Sequence, residues 1–295
     1  MWGTSYVWIK VAVGTVPTFT LIASRLGIGL ALLVAVAVAT RLKLPRDPKV
    51  YGHLIVMAFI NIVIPFALIT TAEQSVNSNL AAIINGAVPL FVVLLAALFL
   101  HDEPLTVNRL VGIGIGYVGV VVLVSRSLFS GAAGSSLGGE LALVGSTLSY
   151  AVGAVYARRN MRGVAPLVPA VFQVGFAFLI VSGIALATEH PFAVAWQPDA
   201  IFAIAWLGVF GSALAYILMF RLLARIGAIG TSVLAYLLPI VGIIAGAVVK
   251  QESADERLLI GTVLILGGIG LSSSKLGQRR LFGRTPPPAA AEGSE

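Results

Sequence analysis

The stretch "GAVPLFVVLLAALFLHDE" (residues 86–103) places a proline inside an apolar run that is far too long for a β-strand and that ends abruptly at polar residues. A similar stretch, "YLLPIVGIIAGAVVKQE" (residues 236–252), lies later in the chain. Each copy has a proline, a glutamate 13 or 14 residues after it, and a glycine nine residues after the glutamate. These residues are Pro89, Glu103 and Gly112 in the first copy and Pro239, Glu252 and Gly261 in the second. The shared spacing indicates an internal repeat.

The composition is typical of a membrane protein. Hydrophobic residues make up 58% of the chain and charged residues 11%, with a mean hydropathy of +1.00, whereas a soluble domain carries about 25% charged residues. The net charge is +7, but the basic residues lie in short loops between apolar segments, which indicates membrane topology and argues against a nucleic-acid partner. The chain has no cysteine and three isolated histidines. We therefore expect no disulfide, no metal site and no cofactor.

Nine apolar stretches of about 20 residues are each long enough to cross the hydrocarbon core of a bilayer. They are residues 20–40, 54–72, 78–100, 107–125, 141–157, 167–188, 200–220, 229–249 and 258–274. They must be helices because an irregular backbone in lipid would leave its polar groups unpaired. A tenth segment, residues 2–16, spans only roughly 22 Å at about 1.5 Å per residue, so we expect the first helix to begin upstream of Met1. The alternative is that this helix enters only part of the membrane.

The distribution of basic residues predicts how ten helices are threaded through the membrane. If the first segment begins in the cytoplasm, 14 of the 19 basic residues lie on that side, three lie on the opposite side, and Lys10 and Arg25 lie within helices. The 14 residues are Arg41, Lys43, Arg46, Lys49, Arg109, Arg158, Arg159, Arg162, Arg221, Arg225, Lys275, Arg279, Arg280 and Arg284. This bias follows the positive-inside rule and predicts that both termini are cytoplasmic.

Two copies of five helices must be inverted relative to each other, because five is an odd number of crossings. The loop after the second predicted helix has four cations, whereas its counterpart after the seventh, residues 189–199, has none. We therefore predict an all-α integral membrane protein with a first repeat at residues 1–127, a second, inverted repeat at 139–275 and a disordered cytoplasmic tail at 276–295. Inverted repeats are typical of secondary transporters.

Both copies follow one pattern of small residues, a mid-helix proline, an apolar run, a short acidic turn and a Gly-rich final helix. The copies read "LAAIINGAVPLFVVLLAALFLHDEPLTVNRLVGIGIGYVGVVVLV" and "GTSVLAYLLPIVGIIAGAVVKQESADERLLIGTVLILGGIGLSSS". With "WGTSYVWIK" at residues 2–10, this pattern resembles the EamA-like branch of the drug/metabolite transporter superfamily, over residues 2 to about 275. One departure is "KQES", where the acidic turn of the second copy is weaker and one residue out of step.

The resemblance implies a carrier of the plasma (inner) membrane that exports amino acids or other small metabolites, in many cases with proton or ion coupling. It does not specify the substrate. Nucleotide-sugar or other organic-anion exchange is the alternative transport function, and a membrane enzyme, scaffold or receptor is the non-transport alternative. No Walker motif is present, which argues against ATP-driven pumping by this chain.

Seven polar or aromatic residues are candidates for substrate binding. A cation within the second helix would attract a carboxylate, and amides near the middle of two helices need a partner, which is either a cavity or a neighbouring helix. Aromatic residues within helices would form the walls of a cavity for a small organic molecule, with anchoring at the membrane surface as the alternative. The candidates are Trp2, Arg25, Asn61, Asn85, Tyr150, Tyr216 and Tyr236.

Four further residues are candidates for gating or coupling. Lys10 lies near the outer end of the first helix, where extension to the lipid headgroups is the alternative function. Glu73 is the acid that would carry a proton, and a solvated carboxylate at a helix end is the alternative. Pro89 and Pro239 each remove a helical hydrogen bond and would kink a helix beside a cavity or at a packing contact.

The predicted partners are the lipid bilayer and a small-molecule substrate. Two pairs of glycines, Gly112 with Gly116 and Gly242 with Gly246, have the four-residue spacing that lets two helices approach closely. We expect this spacing to serve packing within the chain, and a homodimer is the alternative.

The inverted arrangement predicts that the loops after the second and seventh helices lie on opposite faces of the membrane. A tag placed at residues 41–47 should be accessible from the cytoplasm, and a tag at residues 189–197 should be accessible from the other side. Accessibility of both tags from one face would contradict the inversion.

Overall fold

The computed structural model describes residues 1–99, 105–129, 135–161, 163–222, 237–252, 255–274 and 280–282. Within these residues the chain forms ten helical units, which we number in chain order. They are α1 (Trp2–Ala12), α2 (Thr18–Ala39), α3 (Pro48–Ala72), α4 (Ser78–Gly86 followed by Val88–Phe99), α5 (Val107–Phe129), α6 (Ser135–Asn160), α7 (Leu167–Thr188), α8 (Pro198–Leu222), α9 (Leu237–Lys250) and α10 (Glu256–Ser273).

The predicted all-α membrane fold is confirmed. Six of the helices, α2, α3, α4, α6, α7 and α8, are long and apolar enough to cross a membrane, and α5 and α9 contain shorter apolar helices. Large apolar side chains on the outside of the bundle, such as Val38, Val248 and Val263, are highly exposed. A surface of this kind is suited to lipid and not to water.

Two short elements add to the helices. A 3₁₀ turn, Pro191–Ala193, follows α7, and strand β1 (Leu105–Thr106) pairs in antiparallel fashion with β2 (Arg280–Phe282). Strand β2 lies inside the tail that the sequence predicts to be disordered. The rest of that tail lies outside the described residues.

The main helix contacts are unchanged when the two halves of the chain are exchanged. Helix α2 packs against α7, α4 against α9, and α5 against α10, so each of these pairs joins corresponding helices of the two halves. The other main contacts occur in matched pairs. The contact of α1 with α9 is matched by that of α6 with α4, and the contact of α1 with α8 is matched by that of α6 with α3. The contact of α2 with α8 is matched by that of α7 with α3. This pattern is the one expected of two five-helix repeats related by a two-fold axis.

The crossing of α2 and α7 shows the relation at single residues. A Cβ on Gly27 would lie 3.1 Å from the ring of Phe178, and a Cβ on Gly175 would lie 3.5 Å from the side chain of Leu30. Gly175 follows Gly27 by the same number of residues as Phe178 follows Leu30, so the second contact is the counterpart of the first. The two helices therefore cross at equivalent positions.

Helices α5 and α10 meet backbone to backbone at glycines. A Cβ on Gly268 would lie 2.5 Å from the carbonyl oxygen of Gly112 and 2.6 Å from the amide nitrogen of Gly116. Gly242 of α9 also packs closely, because a Cβ there would overlap the side chain of Ala82 in α4. The small-residue spacings at these positions thus serve contacts within the chain.

The glycine contact between α5 and α10 predicts a position-specific loss of stability. Gly268→Ala should lower the free energy of unfolding by about 1–3 kcal/mol, because the new methyl group overlaps backbone atoms that cannot move aside. Thermal unfolding of the purified protein in detergent would measure the effect.

The neighbouring Gly267 is the matched control, since no described atom lies within 4 Å of its would-be Cβ. Gly267→Ala should leave stability unchanged or raise it, because alanine has the higher helix propensity by about 1 kcal/mol. Equal melting temperatures for the two variants would contradict the close contact.

Candidate functional site

Helices α3 and α8 each contain a π-helical segment near their middle. The segments are Phe59–Val63 in α3 and Leu207–Leu214 in α8. Both helices begin at a proline, Pro48 and Pro198, and when these prolines are aligned the π segments overlap. A π turn disturbs the regular i→i−4 hydrogen bonding of the helix, and such turns are frequent at functional sites.

The first helix of each half donates a hydrogen bond to the π segment of the other half. In α1, Nε1 of Trp2 donates to the carbonyl oxygen of Gly211 at 3.0 Å. In α6, Oγ of Ser149 donates to the carbonyl oxygen of Ile60 at 2.6 Å. Both acceptors lie within π segments, so each first helix is joined to the π segment of the opposite half.

The side chains next to these two hydrogen bonds differ. Where α3 meets α6, the side chain of Asn61 fills the space beside Gly153, and a Cβ on Gly153 would overlap the amide oxygen. Where α8 meets α1, the glycine lies on the π segment instead: a Cβ on Gly211 would lie 3.1 Å from Nη2 of Arg25 and 3.1 Å from Oγ of Ser5. The space at Gly211 is therefore occupied by a guanidinium group.

Arg25 is buried in the centre of the protein, with 2% of its surface exposed. Its Nε donates to Oγ of Ser212 at 3.4 Å, and its guanidinium lies 4.3 Å from the ring centre of Phe66. Among the described residues no carboxylate oxygen lies within 4.0 Å of its guanidinium. The charge is thus surrounded by neutral groups at short range.

Aromatic residues lie around the same group. Phe66 and Tyr216 belong to one buried cluster, and Trp2 and Tyr150 pack against that cluster. Trp2 contacts Tyr216 edge to face, with ring centres 5.8 Å apart. Tyr6 is buried next to Ser5 on α1. Four of the seven candidates, Trp2, Arg25, Tyr150 and Tyr216, therefore lie in one region, which we call the Arg25 site. Tyr236 lies outside the described residues.

The two candidate asparagines make contacts between helices. Nδ2 of Asn85 donates to the carbonyl oxygen of Ala81 at 3.1 Å, and its Oδ1 accepts from Ser146 of α6 at 3.0 Å. These bonds use both ends of the amide, so the helix-to-helix alternative holds for Asn85. Asn61 packs against α6 at Gly153, as described above, and belongs to the joint between α3 and α6.

Gln173 is a buried polar residue that the sequence analysis missed. It lies on α7 with 1% of its surface exposed, and its Oε1 has no hydrogen-bond partner among the described residues. The offset that relates Gly27 to Gly175 also relates Arg25 to Gln173, so the two polar residues occupy equivalent positions on α2 and α7. Alignment of the two repeats beyond their first helices would have identified this residue.

Lys10 binds the end of α3. Its Nζ donates to the carbonyl oxygens of Glu73 and Val76, at 2.6 and 2.7 Å. It therefore neutralises the end of α3, where helical carbonyls lack partners and the helix dipole is negative. This contact differs from the alternative in which Lys10 extends to the lipid headgroups.

Glu73 is not the solvated carboxylate that its position at a helix end suggests. None of its surface is exposed, and neither side-chain oxygen has a hydrogen-bond partner among the described residues. Burial of this kind depends on how helices pack, which is why the sequence pattern could not indicate it.

Two other acids bind helix ends on the same side as Lys10. We call this side the outer end, because the basic-residue bias predicts that it faces away from the cytoplasm. Glu252, after α9, accepts bonds from the backbone amides of Ser78 and Asn79 at the start of α4, each 2.9 Å long. Glu189, after α7, accepts from the backbone amides of Phe19 and Thr20 at the start of α2, at 2.9 and 2.7 Å. The second half of the chain thus caps two helices of the first.

The predicted effect of Pro89 is visible in the backbone. Helix α4 is interrupted at Ala87, two residues before the proline, between the segments Ser78–Gly86 and Val88–Phe99. The buried Pro239 lies near the start of the described part of α9, and the residues before that part lie outside the described ranges.

The fold and this centre define a class of protein: a multi-pass helical membrane protein whose two halves enclose buried polar groups. The chain belongs to the EamA-like transporter family, whose model matches residues 1–125 and 137–274. The resemblance stated from the sequence motifs is thereby confirmed, and the protein is a membrane transporter of this family.

Relatives along most of the chain carry transporter names. The chain is 29% identical over 277 residues to the uncharacterized transporter YvbV of Bacillus subtilis, covering 93% of this chain and 88% of that protein. It is 27% identical over 270 residues to the uncharacterized inner membrane transporter YedA of Escherichia coli, covering 90% and 85%. A solved crystal structure matches with a TM-score of 0.67 and 25% identity, over 91% of this chain and 93% of that one. These names support transport and not enzymatic catalysis.

The contact between Asn61 and Gly153 can be tested by a double-mutant cycle. Gly153→Ala should destabilise the protein by about 1–3 kcal/mol, because the added methyl group overlaps the Asn61 amide. In an Asn61→Ala background, the same change should cost less than about 0.5 kcal/mol, since the overlapping group is gone. Thermal unfolding of the four proteins measures the coupling, and additive effects would contradict the contact.

Proposed function

We propose that the protein is a secondary transporter that exports a small polar metabolite with a carboxylate group, an amino acid or a related compound, across the plasma (inner) membrane. The observation that carries this proposal is the buried guanidinium of Arg25. This guanidinium contacts the hydroxyl of Ser212 and the ring of Phe66, and it fills the space beside Gly211.

A buried cation without a counter-charge is unfavourable in a membrane protein, and intramembrane cations mark substrate or ion pathways. A carboxylate that enters the Arg25 site supplies this charge. The planar guanidinium binds a carboxylate through two parallel hydrogen bonds, and Tyr6, Tyr150, Tyr216 and Trp2 provide rings and hydroxyls for the rest of a small molecule.

The exchange symmetry of the helix contacts supports an alternating-access mechanism. In such a mechanism the two repeats swap their conformations, so that a central site opens first to one side and then to the other. The Arg25 site is suited to this role because it is formed by α1, α2 and α3 of the first half together with α6 and α8 of the second. Cytoplasmic termini and outward transport are the orientation and direction that the charge bias and the family resemblance favour.

Transport by purified protein in liposomes tests the role of Arg25. With a mixture of radiolabelled L-amino acids as the probe, Arg25→Gln should lower the rate about 10- to 100-fold, because a charge-assisted hydrogen bond contributes about 1.5–3 kcal/mol. Arg25→Lys retains the charge but not the paired geometry, so its rate should lie between those of Arg25→Gln and the unmodified protein.

Arg46→Gln is the matched control, since Arg46 is an exposed cation in the loop after the same helix. It should transport at the unmodified rate. Amino-acid amides, which lack the carboxylate, should not compete with the probe. Equal transport by Arg25→Gln and the unmodified protein would overturn the proposal, and competition by a nucleotide sugar instead of amino acids would favour the exchanger function.

A further inference from the structure

The carboxylate of Glu73 is a buried ionisable group to which the proposed binding of substrate assigns no task. It lies directly after α3 at the outer end, fully buried, and both of its oxygens lack hydrogen-bond donors among the described residues. An ionised carboxylate in such surroundings would lose its hydration without replacement, whereas a protonated carboxyl group is neutral. The surroundings therefore favour the protonated form in this conformation.

Charged and titratable groups face Glu73 from several helices. Lys10 and Tyr6 come from α1, Arg25 from α2, and Glu252 from the segment after α9. On α6, which packs along α3, Glu140 is a further buried acid, and its neighbour Gly139 contacts Ser75 and Val76. The two cations favour ionisation of Glu73, and the Glu252 carboxylate opposes it.

The position of Lys10 distinguishes between the two forms of Glu73. Its ammonium group donates to the main-chain oxygens of Glu73 and Val76 and makes no ion pair with the Glu73 side chain. An ionised carboxylate this close would attract the ammonium group more strongly than a neutral carbonyl does. The observed contact is the one expected when the carboxyl group carries a proton.

We propose that Glu73 is the proton-binding site of the carrier, and that loss of its proton is coupled to a movement of the end of α1 against the end of α3. Deprotonation releases one proton to water at the outer end and leaves a carboxylate. That carboxylate binds Lys10 in place of the two carbonyl oxygens, so the contact between α1 and the end of α3 is replaced by an ion pair of different geometry. Rebinding of one proton restores the contact seen in the structure.

A bound proton fits this position better than a metal cation. The ammonium group of Lys10 and the guanidinium of Arg25 both act on the Glu73 carboxylate, and their positive charges disfavour a sodium ion beside it. A sodium ion also requires several oxygen ligands, and two of the oxygens at this end already accept from Lys10.

The protonation state can be measured without any substrate. Infrared spectra of the purified protein in lipid at neutral pH should contain a carboxylic-acid C=O band that is absent from Glu73→Gln. Glu256→Gln, which changes an exposed acid at the start of α10, should retain the band. An unchanged band in Glu73→Gln would overturn the proposal, whatever the protein transports.

The coupling role rests on the proposed function and needs a transport assay. In liposomes that contain a pH-sensitive dye, the unmodified protein should accumulate radiolabelled L-amino acids when a pH gradient is imposed, and each accumulation should move protons. Glu73→Gln mimics the protonated form, so it should lose gradient-driven accumulation at least tenfold. It should retain one-for-one exchange of amino acids within about twofold, because exchange moves no net proton.

The outcomes of the two experiments separate the two proposals. Gradient-driven accumulation by Glu73→Gln, or accumulation driven by a sodium gradient in place of the pH gradient, would overturn coupling through Glu73. Absence of amino-acid transport by the unmodified protein would overturn the proposed substrate class. In that case a C=O band specific to Glu73 would still support the proton site.

Discussion

The two hydrogen bonds from α1 and α6 to the π segments of α8 and α3 are the contacts on which the centre of the protein depends. Each joins the first helix of one half to the third helix of the other, and in each the acceptor is a backbone carbonyl oxygen of a π segment. In lipid, where backbone groups have no water to bind, a π turn is tolerated only if a neighbouring group satisfies it. The side chains of Trp2 and Ser149 perform this function and thereby hold the two halves in register.

The backbone is close to symmetric, whereas the side chains at its centre are not. At equivalent places Asn61 of α3 packs against Gly153 of α6, and Gly211 of α8 packs against Ser5 of α1. At another pair of equivalent places α2 carries Arg25 and α7 carries a neutral glutamine. A strictly symmetric protein would bury two guanidinium groups, and burial of the second charge would further disfavour the fold. Divergence of the two copies leaves one buried cation, on the side of the first half.

Much of the fold could be predicted from the sequence, because a helix in lipid depends on length and hydropathy, which are local properties. The repeated proline and glycine spacing predicted the two halves, and the position of Arg25 inside an apolar run indicated a cation within a helix. The π segments carry no such signal, because they arise where distant helices supply hydrogen-bond donors. The burial of Glu73 was missed for the same reason, since it depends on the packing of helices, such as the contact of Lys10 with the end of α3, that no local pattern indicates.

The capping of α2 by Glu189 and of α4 by Glu252 has a consequence for the order in which the protein is made. Both glutamates follow the helices they cap by more than 150 residues, so the first five helices enter the bilayer before their caps have been synthesised. Until then the amide groups at the starts of α2 and α4 must bind water or lipid headgroups. The first half reaches its final arrangement only after α7 and the turn after α9 have been synthesised. The second half is therefore required to complete the folding of the first.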